Sequence, residues 1–203
     1  MSTSHLARRL LLALALALAL PALASADGFI QTERLHRSKL LSFAWEYSFP
    51  MQSLSSDFIS SSSPAGLDVG ARFGISRKIS LGASFTWNGF TQSGEPKRSL
   101  QSLALRATAH WYFTNSEIQP YLGLFAGGAY MEVLQGAGPT QTGFAPIAGP
   151  EVGILFTIAD GLALTLAGRY QIGFADIAVN DDPALPVIHW PSWAAIQAGI
   201  AFY

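Results

Sequence analysis

The chain has 203 residues and carries 12 Lys+Arg against 13 Asp+Glu, a net charge of −1; this balance and its scatter argue against a nucleic-acid surface. It has no Cys, which excludes disulfides, thiolate metal ligands and cysteine nucleophiles. Only 12% of its residues are charged and its mean hydropathy is +0.30, where an ordinary soluble protein has about 25% charged residues.

At the amino end, His5, Arg8 and Arg9 precede an apolar run from Leu10 to Leu20, followed by Pro21 and the small triplet Ala24-Ser25-Ala26. A charged head, a short greasy stretch and a small-residue site predict a cleaved secretory signal peptide over 1–26. The run is far shorter than the roughly 20 residues of a spanning helix. Asp27 to Ser38, with Glu33, Arg34 and Arg37, is expected to be a periplasmic lead-in.

From there, segment after segment alternates with a period of two, as strands with two unlike faces do. Leu41, Phe43, Trp45, Tyr47 and Phe49 alternate with Ser42, Ala44, Glu46 and Ser48. Leu67, Val69, Ala71, Phe73 and Ile75 oppose Asp68, Gly70, Arg72 and Gly74, and Ile79, Leu81, Ala83, Phe85 and Trp87 oppose Ser80, Gly82, Ser84, Thr86 and Asn88. Leu103, Leu105, Ala107, Ala109, Trp111 and Phe113 oppose Ala104, Arg106, Thr108, His110 and Tyr112. Tyr121 to Val133 is apolar on both faces and leaves its orientation open. Val152, Ile154, Phe156 and Ile158 then oppose Glu151, Gly153, Leu155 and Thr157, and Leu162 to Phe174 and Trp193 to Tyr203 complete a count of eight strands.

The connections alternate as well. Ser76 to Lys78, Thr114 to Gln119 and Ala159 to Gly161 read as short hairpin turns, whereas Pro50 to Ala65, Thr91 to Ser99, Leu134 to Gly149 and Ala175 to Ser192 read as long Ser/Gly/Pro/Asp-rich loops. Short turns on one side and long loops on the other predict an all-β fold: an eight-stranded antiparallel up-and-down transmembrane β-barrel over 39–203. Hydrocarbon offers the backbone no partners, so such a sheet must close. Aromatics near strand ends are expected to ring the two interfaces: Trp45, Tyr47, Phe49, Trp87, Phe90, Phe174, Trp190 and Trp193 at the loop end, and Phe73, Trp111, Tyr112, Phe113, Tyr121, Phe202 and Tyr203 at the turn end.

The pattern, with Pro120-Tyr121-Leu122-Gly123 opening a strand and Tyr203 ending the last, resembles the small outer-membrane barrels of the porin family, the group of the OmpA transmembrane domain, OmpX and OmpW. The resemblance implies location in the bacterial outer membrane after Sec export, lipopolysaccharide and outer-membrane lipid as surroundings, and recognition of the terminal aromatic by the barrel-assembly machinery. A monomer is expected and, with the sequence stopping at its eighth strand, no peptidoglycan-binding domain of the OmpA kind is expected to follow.

Function is expected to lie in the lumen or the loops. An eight-stranded barrel is narrow enough for side chains to fill. The inward ionisable set is Glu46, Asp68, Arg72, Arg106, His110, Glu151 and Arg169. A turn centred on Asp160 sets Glu151 opposite Arg169, which predicts a cross-strand ion pair. Arg72, opposite Gly82, has room to reach towards Glu46 or beyond. Paired buried charges of this kind plug and rigidify a barrel. The alternative is a narrow channel for small or hydrophobic solutes, like that of OmpW; a lipid A-modifying enzyme is third. For the latter, the His-x-Ser-Asn motif of outer-membrane deacylases finds no counterpart on a barrel strand: His36-Arg37-Ser38 is followed by Lys39, and His110 by Trp111 and Tyr112. No enzyme activity, cofactor or metal site is expected. In the loops, Ser53 to Pro64 reads as a solvated or adhesive stretch, and Asp176 with Asn180-Asp181-Asp182 as a solvated acidic stretch or a cation site.

Overall fold

The computed structural model describes residues 39–51, 58–60, 66–92, 98–114, 116–135, 138–176 and 190–203, all within the compact unit Thr32–Tyr203. The signal peptide, the lead-in, most of Ser53 to Pro64 and the Asn180-Asp181-Asp182 stretch lie outside the described residues. Among those described, the regular elements are strands: β1 (Lys39–Met51), β2 (Phe58–Ser60), β3 (Gly66–Gly74), β4 (Ile79–Gln92), β5 (Arg98–Tyr112), β6 (Ile118–Gln135), β7 (Gly138–Ala159), β8 (Leu162–Gly173) and β9 (Ser192–Phe202).

Eight of them form the wall. Antiparallel ladders join β1 to β3, β3 to β4 and so on through β9, and β9 pairs back onto β1 from Leu41↔Phe202 to Met51↔Ser192, so the ring has no free edge at mid-height. The short β2 continues the wall at the loop end, pairing Phe58↔Gln92 and Ser60↔Phe90 above the point where β3 stops at Gly66↔Asn88.

The register fixes the geometry of the ring. Stepping across partners from Leu41 through Ala71, Ala83, Ala107, Ala126, Ala148, Ile172 and Ser192 returns to β1 at Met51, ten residues beyond the start (51 against 41). Eight strands with that stagger tilt by about 40° and enclose a backbone cylinder of about 8 Å radius. Such a cylinder is closed by ordinary side chains.

Alternation then sorts the residues. Trp45 is 68% exposed and the next residue, Glu46, 1%; Leu105 is 65% exposed and Arg106 1%. Between Phe73, Trp111 and Phe202 at the turn end and Phe49, Phe174 and Trp190 at the loop end, the outward positions of the eight wall strands hold no Asp, Glu, Lys or Arg. An apolar exterior around a polar interior inverts a soluble barrel and suits lipid.

One orientation that the residues left open is fixed, and two expectations are corrected. Tyr121 to Val133 has its odd residues inward and its even ones outward: Tyr121, Phe125, Met131 and Val133 are buried while Leu122, Leu124 and Tyr130 are exposed. Both faces read as apolar because this strand brings aromatic and aliphatic side chains into the lumen itself. Phe90, Tyr112, Tyr121 and Trp193 are not interface aromatics, because parity turns them inward, where they are 7% exposed or less; Trp45 points outward but at mid-height, between Leu67 and Ala198.

The second correction is Leu134 to Gly149, which is mostly strand. The β6–β7 ladder continues to Gln135↔Gly138 with one register shift at Val133/Leu134. Its glycines and prolines suggested a loop, yet the sheet accommodates them. Pro146 O accepts from Phe174 N at 2.8 Å, so the missing N–H of Pro146, and by parity that of Pro150, face β8. There the ladder skips from Ala148↔Ile172 to Glu151↔Arg169. Proline is tolerated at such a seam at the cost of ladder bonds.

Candidate functional site in the lumen

The alternation that makes the exterior apolar also brings one ionic residue after another inward. Glu46 comes from β1, Asp68 and Arg72 from β3, Arg106 and His110 from β5, Glu151 from β7 and Arg169 from β8. The stagger sets Arg72 and His110 near the turn end and the other five at mid-height. Three guanidinium groups thus meet three carboxylates, a balance reached without His110.

Arg169 is the hub. Its Nη1 lies 3.3 Å from Glu46 Oε2 and 3.3 Å from Asp68 Oδ2, and its Nη2 lies 3.6 Å from Glu151 Oε2. Glu151 and Arg169 are direct register partners. Asp68 Oδ2 also accepts from Arg106 Nη2 and, at 2.7 Å, from Thr86 Oγ1. Glu46 accepts from Gln197 Nε2 at 2.8 Å and from Ser48 Oγ at 3.1 Å. Glu151 Oε1 accepts from Tyr121 Oη at 2.9 Å and lies 3.2 Å from His110 Nε2. Arg72 stands opposite Gly82, but it turns to Glu151, 3.6 Å away, not to Glu46. The stagger leaves Arg72 below Glu46, whose oxygens are already taken by Gln197, Ser48 and Arg169.

Charges this deeply buried persist only when paired and hydrogen-bonded. The pairing is uneven. Arg106 Nε and Nη1 and Arg169 Nε have no hydrogen-bond partner among the described residues. Part of what they lack comes from the ring of Phe125, which has Arg106 Cζ 5.2 Å and Arg169 Cζ 6.0 Å from its centroid, within the range of a cation–π attraction.

Glycine makes the room. A Cβ on Gly127 would stand 2.8 Å from Arg106 Cα, one on Gly123 2.7 Å from the His110 ring, and one on Gly153 2.4 Å from the Tyr121 ring. Glycine was also the available signal for two lumen residues, Tyr121, which was expected at the turn-end interface, and Phe125, which was not singled out: each faces a glycine across the ladder, Tyr121↔Gly153 and Phe125↔Gly149.

Apolar clusters flank the ionic layer. At the loop end Phe90, Leu100, Met131, Val133, Ile147 and Trp193 pack together inside the ring, with the Phe90 and Trp193 rings edge to face at 5.6 Å. At the turn end Leu40, Leu155, Ala163 and Ala201 pack with Tyr203. His110 and Glu151 meet as a base and an acid, but it is Nε2 that faces the carboxylate, and no described hydroxyl contacts Nδ1. The pair therefore lacks the nucleophile that a hydrolytic triad requires.

No curated protein sequence matches the chain. Among solved structures, neisserial surface protein A superposes with a TM-score of 0.57 at 18% identity, covering 81% of this chain and 95% of that one. OprG of Pseudomonas aeruginosa gives 0.57 at 13% identity, covering 82% and 96%. Outer membrane protein W of E. coli gives 0.52 at 13% identity, covering 83% and 100%. The fold is that of the small eight-stranded outer-membrane barrels, as the sequence pattern led one to expect. A family model described as protein of unknown function (DUF3575) matches residues 59–175, more than half of the chain, and the protein belongs to that family.

Proposed function

We propose that the protein is a monomeric integral barrel of the bacterial outer membrane, surrounded by lipopolysaccharide and phospholipid, with a closed lumen and a structural or surface-interaction role carried by its outer rim and loops. One observation carries this reading: the ionic layer lies between two packed apolar clusters, so the axis is filled at three levels. An apolar cluster excludes hydrated ions and a neutralised ionic layer gives none of them a net attraction. In such a barrel the buried charges hold the wall in shape and perform no catalysis.

Two measurements test it. Washed outer-membrane fractions should contain the mature chain, migrating on SDS gels at a position that changes on boiling; recovery from the soluble periplasmic extract would defeat the proposal. Purified protein in planar bilayers should then show no steady conductance.

A second reading, a narrow path for small solutes, draws support from the N–H groups of Arg106 and Arg169 and the amide nitrogen and oxygen of Gln171, all buried without a partner among the described residues. Steady conductance that disappears on substituting Arg72, Arg106 or Arg169 would favour this path over the plug. Release of acyl chains from lipid A by the purified barrel would favour an enzyme over both.

A further inference from the structure

The turn-end rim of the barrel is unevenly charged. Three exposed cations stand on one sector of it: Lys39 at the start of β1, and Arg77 and Lys78 in the turn between β3 and β4, the two strands that follow β1 around the ring. The exposed acids of the other two turns, Glu117 between β5 and β6 and Asp160 between β7 and β8, lie a quarter and a half of the way round from that turn. None of the three cations has an ion-pair partner among the described residues, because every carboxylate in the ion pairs belongs to the lumen.

The turn that carries two of them is firmly held. Ile75 N and Ser76 N both donate to Ile79 O, at 3.0 and 3.2 Å. Ser76 Oγ accepts from Lys78 N at 3.3 Å and from Ile79 N at 3.1 Å, a local hydroxyl-to-backbone closure typical of turns. Lys78 O accepts from Tyr112 N at 2.8 Å, which ties the turn to β5. The long side chains of Arg77 and Lys78 therefore stand on a fixed base. Beside them the apolar band begins: Phe73, the register partner of Lys39, is exposed, as are Ile75, Ile79 and Trp111, with Ile79 facing Trp111 in register. The border between hydrocarbon and headgroups thus runs between Phe73 and Arg77, and cationic side chains at such a border lay their stems along apolar surface and their heads on the wet side. We propose that this sector is a binding site for an anionic phospholipid, with an acyl chain along Ile79 and Trp111 and the phosphate held by Arg77, Lys78 and Lys39.

Headgroup charge decides the class. A zwitterionic lipid carries its own ammonium, which competes for the same phosphate; a headgroup without one leaves a full negative charge for the protein. A guanidinium offers paired N–H donors to phosphate oxygens, and each lysine adds a point charge. Near a membrane surface each such cation is worth about fivefold in affinity for an anionic headgroup. The effect fades beyond about 8–10 Å at ordinary ionic strength, so Glu117 and Asp160 repel the same lipid from their own sectors without cancelling the basic one.

The site rests on the membrane-barrel reading and belongs to the leaflet on the turn side, but the two fail separately. The experiment is NMR of the mature barrel, with ¹⁵N in Arg, in phosphatidylcholine bilayers in which a growing fraction of the lipid is replaced by phosphatidylglycerol. The Arg77 Nε–Hε resonance is expected to shift and to saturate while phosphatidylglycerol is still the minor lipid. Lys39→Gln and Lys78→Gln should each raise the half-saturating fraction about fivefold, and about 1 M salt, which shortens the screening length to about 3 Å, should raise it further. A resonance that stays fixed, or that follows the bulk lipid fraction in a straight line, would overturn the proposal and leave the barrel standing, and neither readout needs a variant. Saturation unchanged in the Lys39→Gln/Lys78→Gln double variant would overturn it as well. A mature chain that does not enter the bilayers would overturn both readings.

Discussion

The mid-height ionic layer and the loop-end apolar cluster occupy the same cylinder and are built by the same strands, yet they hold it in different ways. Phe90, Met131 and Trp193 each lose their own contacts when truncated, and the neighbours can partly collapse into the gap. Arg169 cannot be treated alone, because three carboxylates depend on it. Removing one partner leaves an uncompensated charge in a site that water does not reach. The apolar end is therefore modular and the ionic layer cooperative.

Substitutions can break or sharpen that contrast. The largest effect belongs to neither region but to the wall that carries both: a Cβ on Gly149 would sit 1.7 Å from the Tyr170 carbonyl oxygen, so Gly149→Leu should prevent closure, seen as loss of the heat-modifiable form on SDS gels. Next comes Arg169→Met, expected to cost about 3–5 kcal/mol in urea unfolding from lipid vesicles. If the layer is cooperative, the double variant Arg169→Met/Glu151→Gln should be less destabilised than the single one; additive losses would show independent pairs. Leu105→Arg, at an outward mid-wall position, should cost about 2–4 kcal/mol in the same assay. Met131→Ala should cost about 2 kcal/mol, the low end for a buried methionine, and add independently to Arg169→Met. The smallest change is expected for Leu105→Ala, under about 1 kcal/mol, since lipid tails replace the lost contacts.

Wherever a strand separates two unlike faces, its role was legible from residue order. Leu162 to Gly173 and Leu103 to Tyr112 alternate cleanly, and the structure has both with the expected sides inward. The short turns were legible for the same reason: Gly161 takes the positive φ of 80° that a tight turn between β7 and β8 asks of it. Alternation failed where the lumen itself is greasy. Tyr121, Phe125 and Met131 are as apolar as the lipid-facing residues between them, and Phe90 and Trp193 lie near strand ends, where interface aromatics belong, while their parity faces the lumen. Leu134 to Gly149 misled for a different reason: glycine and proline mark loops in a solvated chain, whereas here glycine accommodates Phe125 and proline sits where a ladder bond is dispensed with. Within the candidate site the residue types and the Glu151↔Arg169 register could be read in advance. The reach of Arg72 could not, because it depends on the stagger of the whole ring.

The ladder that joins β1 to β9 has one more consequence. Leu41 to Met51 pairs with Ser192 to Phe202, so the first and last of the described strands are neighbours, and the wall is sealed only when they meet. Any shorter assembly in the bilayer would present two rows of unbonded amides to hydrocarbon. Insertion should therefore be close to all-or-none and, with its defining contacts joining residues 141 to 151 positions apart, slow. Amides along β1 and β9 should exchange with solvent only as fast as the barrel opens globally.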